Sequence, residues 1–564
     1  MNNQAIFVIL RRMRAPLLAL ITTYAVTVLG LVLMPGVNAQ GEPERLSFFH
    51  AFYIITYTAT TTGFGELPHP FSDAQRAWVT FSMYLSIVAW LYAIGALIAL
   101  VRDPTFQRVF VESRFAAAVR RIREPFYIVC GYGDTGTVVV EALVNGIFSA
   151  VVIDRDETRI NELALKDLAR PVPALAADAS LPDTLLLAGL EHPRCAGVIA
   201  LYADDHTNLK IAISAKLLNP QLQVICRAAS HDTQANMESF NTDAVINPFD
   251  SFADRLAMAL HSPDSHLLYE WLTASPGEPL ARRINPPRGT WVLCGYGRFG
   301  KALARHMEYE GVSMVIIEAT PERVDAPEGT VRGRGTEAVT LREAHIERAV
   351  GIVAGTDDDA NNLSMIVTAR MLKPGLFMVA RQNQRENEAL FEAAGLDLVM
   401  QRSRAIARRI LSLVSTPLLI HFLRHLRHES NDWAAQLIGR LQPLINDEAP
   451  EVWTVDVTPG GASALHAALS EGQSVSCGQL LSDPRDRDER LRALILLIRR
   501  GENELLLPAA DAQIEAGDRL LFAGRRGAAR TLDLTLFNVH ALRYVLSGAS
   551  GPNGALWRWL RGEA

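Results

Sequence analysis

Between residues 60 and 66 the chain reads Thr60-Thr61-Thr62-Gly63-Phe64-Gly65-Glu66. Glycine tolerates backbone angles that a side chain forbids, so Gly63 and Gly65 let successive carbonyls point at one axis. Rings of such carbonyls, closed below by a threonine hydroxyl, can replace the water shell of K⁺. The candidate filter is Thr61, Thr62, Gly63, Phe64 and Gly65. One loop cannot close a ring, so this chemistry requires a homotetramer around a fourfold axis.

A second chemistry is written twice. Apolar Phe126–Cys130 leads into Gly131, Gly133 and Gly136, and a second apolar run ends in Asp154. That spacing is a dinucleotide-binding fingerprint: glycines permit close approach, the helix start faces phosphate, and the acid takes ribose hydroxyls. Trp291–Cys294 with Gly295, Gly297 and Gly300 repeats the first part, and Val315 to Glu318 repeats the second. Asp204, Asp205, Asn208 and Leu209 recur as Asp358, Asp359, Asn362 and Leu363, Arg227 as Arg381, and Pro263 as Pro417. An internal duplication of roughly 150 residues explains all of these. Cys130 and Cys294 hold matching strand ends and read as small packed residues.

The loop at Gly63 needs a membrane around it. No residue from Ala15 to Gly41 is charged, nor any from Ala77 to Val101, and about 20 apolar residues span a bilayer as helix. A cleaved signal peptide is the rival for the first run, because Val37-Asn38-Ala39 mimics a cleavage site; its apolar core exceeds the usual length of about 7–15 residues. Arg11, Arg12 and Arg14 precede the first run, and Arg102, Arg108, Arg114, Arg120, Arg121 and Arg123 follow the second. The positive-inside bias places both ends of a multi-pass protein in the cytoplasm. Ser47 to Thr60 is too short to cross and reads as a re-entrant pore helix whose C-terminal dipole favours a dehydrating cation.

Downstream, strands alternating with helices imply two parallel, doubly wound α/β sheets. Each repeat is expected to end in a helical hairpin, Asp250 to Trp271 and Ser403 to His428, whose apolar faces cross to a partner lobe. His421, His425 and His428 share a face of the second and read as solvated, with a metal site as the alternative. Composition bounds the rest: 564 residues allow three or four domains, and a net charge of −6 argues against a nucleic-acid binder. Five scattered cysteines form neither a zinc pattern nor a disulfide framework.

The filter loop resembles the potassium-channel signature, with Phe64 for the commoner Tyr and Glu66 for the commoner Asp. Together with the paired glycine turns, the chain resembles prokaryotic potassium channels with tandem RCK (TrkA-N/TrkA-C) domains, of the GsuK type. The resemblance implies a two-span all-α pore domain over 1–105, a linker over 106–124 and a first RCK domain over 125–285. A second RCK N-lobe with crossover helices follows over 286–443, a small α+β TrkA-C lobe over 444–530 and a tail over 531–564. The first repeat has no such lobe. Relatives carry a hinge glycine that would fall near Leu85; Gly95 is the glycine available here, so bending is expected there, with Leu97 or Ile98 as an apolar gate or as mere packing.

The resemblance also places an acid, Asp178, near the first nucleotide. The second repeat has Arg334 at that position, with Arg332 nearby and Arg298 inside the turn, and arginine's planar fork matches phosphate. The second site is therefore favoured for a nucleotide, Glu318 disfavouring a 2′-phosphate, so that ADP or NAD is expected over NADP; a degenerate lobe kept only for packing is the alternative at either site. The family's response to calcium leaves a weak Ca²⁺ site open at Asp357-Asp358-Asp359 or at Asp483, Asp486, Asp488 and Glu489, against solvated loops. Trp557 and Trp559 in the tail could touch a membrane or dock on the assembly. The expected function is a potassium-selective channel gated by cytosolic ligands through a ring of eight RCK domains, not an enzyme. A membrane-anchored NAD-dependent oxidoreductase and a regulatory subunit of a potassium transporter are the alternatives.

Overall fold

The computed structural model describes residues 3–37, 42–66, 68 and 70–549; Trp557 and Trp559 lie outside them. One compact unit is built on Met1–Ile122, another on Arg123–Leu186 and Leu190–Ala564.

In the first unit an outer helix, Asn3–Leu33, packs against an inner helix, Asp73–Arg102. Both contain stretches long and apolar enough to cross a membrane. Their closest approach is set by Gly30, where an added Cβ would lie 2.0 Å from the Trp78 ring. The Trp78 indole N–H in turn donates to the Thr27 carbonyl at 2.9 Å. A pore helix, Phe48–Ala59, starts where the Ser47 hydroxyl accepts from the His50 amide. Ser72 and Gln75 form a capping box at the head of the inner helix, which then runs as one helix through Gly95. The linker is helical, as its arginine-rich sequence leads one to expect: Asp103 caps Pro104–Val119 by accepting from the amides of Thr105 and Phe106, and pairs with Arg12 at 2.7 Å.

The second unit holds two six-stranded sheets. In each, the pairings are parallel and the strands run 3-2-1-4-5-6 when numbered within the sheet. The helices that end each repeat are exchanged between the lobes. Pro248–His261 buries Phe249, Phe252, Leu256 and Leu260 in the core of the second sheet. Arg402–Ser415 buries Ile406, Ala407, Ile410 and Val414 in the core of the first. Proline begins the partner helix of each hairpin, Pro263–Thr273 and Pro417–Leu426.

The C-terminal lobe is a four-stranded antiparallel sheet with helices on it. It does not stop near residue 530. Ala528–Phe537 and Val539–Ser547 pack Leu532, Leu536 and Leu542 into its core, so much of the expected tail is structural. The expected solvation of the histidines also fails: His421 and His425 grip the two oxygens of Glu504, a strand residue of this lobe, at 2.7 and 2.6 Å, while His428 is exposed.

Candidate functional site

The filter loop leaves the pore helix at Thr61, whose φ of 60° is rare for a β-branched residue; Gly63 and Gly65 follow at 65° and 94°. A Cβ added at either glycine meets nothing within 4 Å, so backbone angle rather than space requires them. The Tyr57 hydroxyl donates to the Gly65 carbonyl. Phe64 stacks on Tyr53 with centroids 6.2 Å apart and meets Tyr57 edge-on at 5.7 Å. Glu66 turns away to the inner helix: Arg76 donates to both its oxygens, at 2.8 and 3.1 Å, and the Phe71 amide donates at 2.8 Å. The contact behind the filter thus comes from Tyr57, which the motif alone does not mark. Its signal is the spacing: Tyr53 and Tyr57 lie four residues apart, on one face of the pore helix. Leu97 and Ile98 are half-exposed in the single chain, and an added Cβ at Gly95 is unobstructed.

The two glycine turns share a frame and differ in what they present. An added Cβ at Gly136 or Gly300 would lie 2.1 Å from the carbonyl of Gly131 or Gly295, which is how closely helix and strand approach. In the second repeat a cavity of about 380 Å³ is lined by Gly295, Gly297, Arg298, Glu318 and Arg334. Glu318 accepts from the Tyr296 amide at 2.7 Å and from the Thr320 amide at 3.0 Å, and its longer arm still reaches the cavity. Phe249, from the first repeat's exchanged helix, also lines this cavity, with the Arg381 guanidinium 5.1 Å from its ring. Arg332 is not part of this group; it is exposed and paired with Glu322.

In the first repeat the acid is withdrawn. Asp154 is 2% exposed and spends its oxygens on the amides of Tyr132 and Asp156, so it does not line the cavity as a ribose partner would. Asp178 is likewise engaged, by Arg155 at 2.9 Å and by Ser180. Burial would raise its pKa, but the Ser180 and Arg155 hydrogen bonds outweigh that and hold the carboxyl below its ordinary range. The cavity here, about 220 Å³, is lined by Gly131, Gly133, Gly136, Arg159 and Arg227, and from the second repeat by Arg385, Glu388, Ser403 and Arg404. Sequence reasoning noticed that Arg227 recurs as Arg381 but missed that both face a cavity. It also missed Phe249 and Arg404, because helix exchange brings them to the opposite lobe.

Other repeated residues are structural. Asn208 donates to the carbonyls of Tyr202 and Arg227, and Asn362 to those of Thr356 and Arg381. Asp358 caps a helix, while Asp359 holds the amides of Asn383 and Gln384. Asp483 and Asp486 cap turns. Among the described residues no group of three or more His, Cys, Asp or Glu is placed to hold a metal ion. Burial pushes the Cys294 thiol up to about 12, in keeping with a packing role.

Residues 127–248 and 291–402 match the TrkA-N domain, 473–535 the TrkA-C domain, and 17–103 the Ion channel family. Potassium channel protein 1 of Methanocaldococcus jannaschii is 26% identical over 240 residues, 43% of this chain and 70% of that protein. The Trk system potassium uptake protein TrkA of Mycobacterium tuberculosis is 29% identical over 236 residues, 41% of this chain and 90% of that one. Among solved structures, a GsuK channel bound to NAD aligns over 95% of this chain and 100% of its own, at 16% identity and a TM-score of 0.47.

Proposed function

We propose, starting from a chain that belongs to the potassium channels with TrkA-N and TrkA-C domains, that four copies form one K⁺-selective pore gated by cytosolic nucleotides. The observation that carries this reading is the loop from Thr61 to Gly65. Its glycines adopt left-handed angles between two apolar helices, and its last carbonyl is held from behind by Tyr57.

Four chains contribute eight Rossmann-like lobes, and both chain ends face the cytoplasm. The second cavity takes ADP or NAD: the glycine turn and Arg298 receive phosphate, Arg334 assists, and Glu318 meets the ribose. Ligand binding shifts the exchanged lobes, and Pro104–Val119 carries that shift to the inner helices, where Leu97 and Ile98 form the gate. A nucleotide biases this gate only through unequal affinity for open and closed states. A tenfold preference is worth about 1.4 kcal/mol, and four such sites about 5.5 kcal/mol, enough to move a gate from nearly shut to nearly open.

Reconstituted liposomes test this. Flux of K⁺ in preference to Na⁺, altered by NAD or ADP, is the expected result; equal passage of both ions, or none under any nucleotide, overturns it.

A further inference from the structure

Where the inner helix leaves its span, arginines and aromatic rings gather. The helix ends at Arg102, one residue intervenes, and the linker helix Pro104–Val119 begins. Two contacts hold the first turn of that linker at the end of the spans. Asp103 pairs at 2.7 Å with Arg12, where the apolar stretch of the outer helix starts. The Gln107 side-chain amide donates to the Val101 carbonyl at 3.0 Å. At about 1.5 Å of rise per residue, Phe106, Arg108 and Phe110 lie no more than roughly 10 Å beyond Asp103, however the helix is inclined, and so close to the lipid headgroups.

The surface there combines two chemistries. The rings of Phe106 and Phe110 stack with centroids 6.3 Å apart, and Phe110 and Val111 are half-exposed. Arg14 and Arg102 are exposed beside the ends of the spans. Arg108 pairs with Glu112 yet keeps its side chain 75% exposed, and the Arg114 guanidinium lies 5.8 Å from the Phe110 ring. Across residues 12–14 and 102–114, five arginines stand against Asp103 and Glu112. Apolar rings with a cationic surround, at the depth where a bilayer changes from hydrocarbon to headgroup, match a lipid that is itself apolar with an anionic end.

We propose that this junction binds an anionic phospholipid of the cytoplasmic leaflet, its phosphate taken by Arg102 and Arg108 and its acyl chains laid along Phe106 and Phe110. A guanidinium fork suits phosphate, and each arginine near an anionic surface adds attraction that a zwitterionic lipid does not return. The bound lipid pins the first two turns of the linker to the membrane surface and gives the inner helix a fixed end. The proposal rests on both spans lying in a bilayer, not on the filter or the nucleotide cavities, so the flux assay can fail without touching it.

The test is competition. Full-length protein in detergent binds a fluorescent phosphatidylglycerol, which unlabelled phosphatidylglycerol, phosphatidylcholine or soluble glycerol 3-phosphate then displaces. Phosphatidylglycerol is expected to compete at least tenfold better than the other two. Arg102→Gln with Arg108→Gln is expected to weaken phosphatidylglycerol roughly tenfold and to leave phosphatidylcholine unchanged. Arg102→Lys with Arg108→Lys, which keeps the charges, should retain the preference and separate loss of charge from loss of fold. Phe106→Ala with Phe110→Ala should weaken both lipids alike. Equal competition by the two lipids in the parent, as when a neighbouring copy covers this surface, overturns the proposal. So does an undiminished preference in the glutamine pair, which would place the lipid elsewhere, or competition by glycerol 3-phosphate as strong as by the lipid, which would make the ligand a free phosphate.

Discussion

Arg408 donates to Glu270 at 2.8 Å, joining a helix of the second repeat to a helix of the first. The other oxygen of Glu270 accepts from Arg255 at 2.9 Å, and Arg408 reaches Glu278 at 3.0 Å with its second nitrogen. The network sits where the exchanged helices cross, and its side chains are largely withdrawn from solvent. Removing one partner of a buried pair costs more than the pair is worth, because the other charge stays buried. Glu270→Gln is therefore expected to destabilise the folded chain by about 3 kcal/mol, read as an earlier denaturant midpoint. Glu270→Leu with Arg255→Met, which removes both charges, should recover part of that loss; no recovery would locate the cost in Arg408 instead.

The same crossing predicts acid sensitivity. His266 is 5% exposed, and burial, with Arg255 adding to it against the pull of Glu270, lowers its pKa to about 4 from an ordinary 6.5. A histidine buried neutral binds no proton in the folded state until the pH approaches 4, while the unfolded chain binds one near 6.5. Stability conferred by this site is thus full above 6.5 and falls as the pH drops between those values, by up to about 1.4 kcal/mol per unit. Glu270 loses stability in the same direction at lower pH: burial would raise its pKa, but Arg255, His266 and Arg408 hold it below the ordinary value. Melting temperatures from pH 7 to 5 check this. His266→Gln should flatten the profile, and an unchanged slope would assign the sensitivity elsewhere.

Much of this architecture was legible because local patterns speak for themselves: two uncharged runs, a glycine turn copied once, and strands buried on both faces. What stayed hidden depends on who meets whom. Asp154 and Glu318 end equivalent strands and accept from equivalent amides, yet only the longer side chain also lines its cavity. Phe249 and Arg404 belong to one repeat and serve the other, which a periodic pattern cannot announce. His421 and His425 look like surface residues at helical spacing until Glu504, some 80 positions away, arrives from another lobe. The length of the C-terminal lobe was missed for a simpler reason: its last helices are short and amphipathic, and only packing distinguishes them from a tail.

Two neighbouring arginines of the second repeat now have separable fates. Arg334 lines the cavity beside Gly333 and Glu318, whereas Arg332 is tied to Glu322 at the surface. Arg334→Ala is expected to lower ADP affinity about tenfold, the worth of a charge-assisted hydrogen bond to phosphate, and Arg332→Ala to leave it unchanged. Titration of each variant with ADP decides. Equal losses would mean that the patch acts by its summed field instead of by contact.

At the filter, the Tyr57 hydroxyl is the polar contact behind Gly65, and Phe64 is held by the rings of Tyr53 and Tyr57. Carbonyls that replace a hydration shell must resist collapsing on a smaller ion, and a hydrogen bond from behind supplies part of that resistance. Tyr57→Phe keeps the ring contacts and removes the hydroxyl alone, at about 1 kcal/mol per chain. The expected result is a pore that still assembles and conducts but prefers K⁺ over Na⁺ several-fold less, measured as a shift in reversal potential between the two ions. Arg76→Leu acts differently. It leaves Glu66 without the bidentate partner that ties the loop's exit to the inner helix, so the loss should appear in assembly and thermal stability before selectivity. Should Tyr57→Phe retain full selectivity, the stacked Phe64 and Tyr53 rings, rather than the hydroxyl, would be what holds the carbonyls apart.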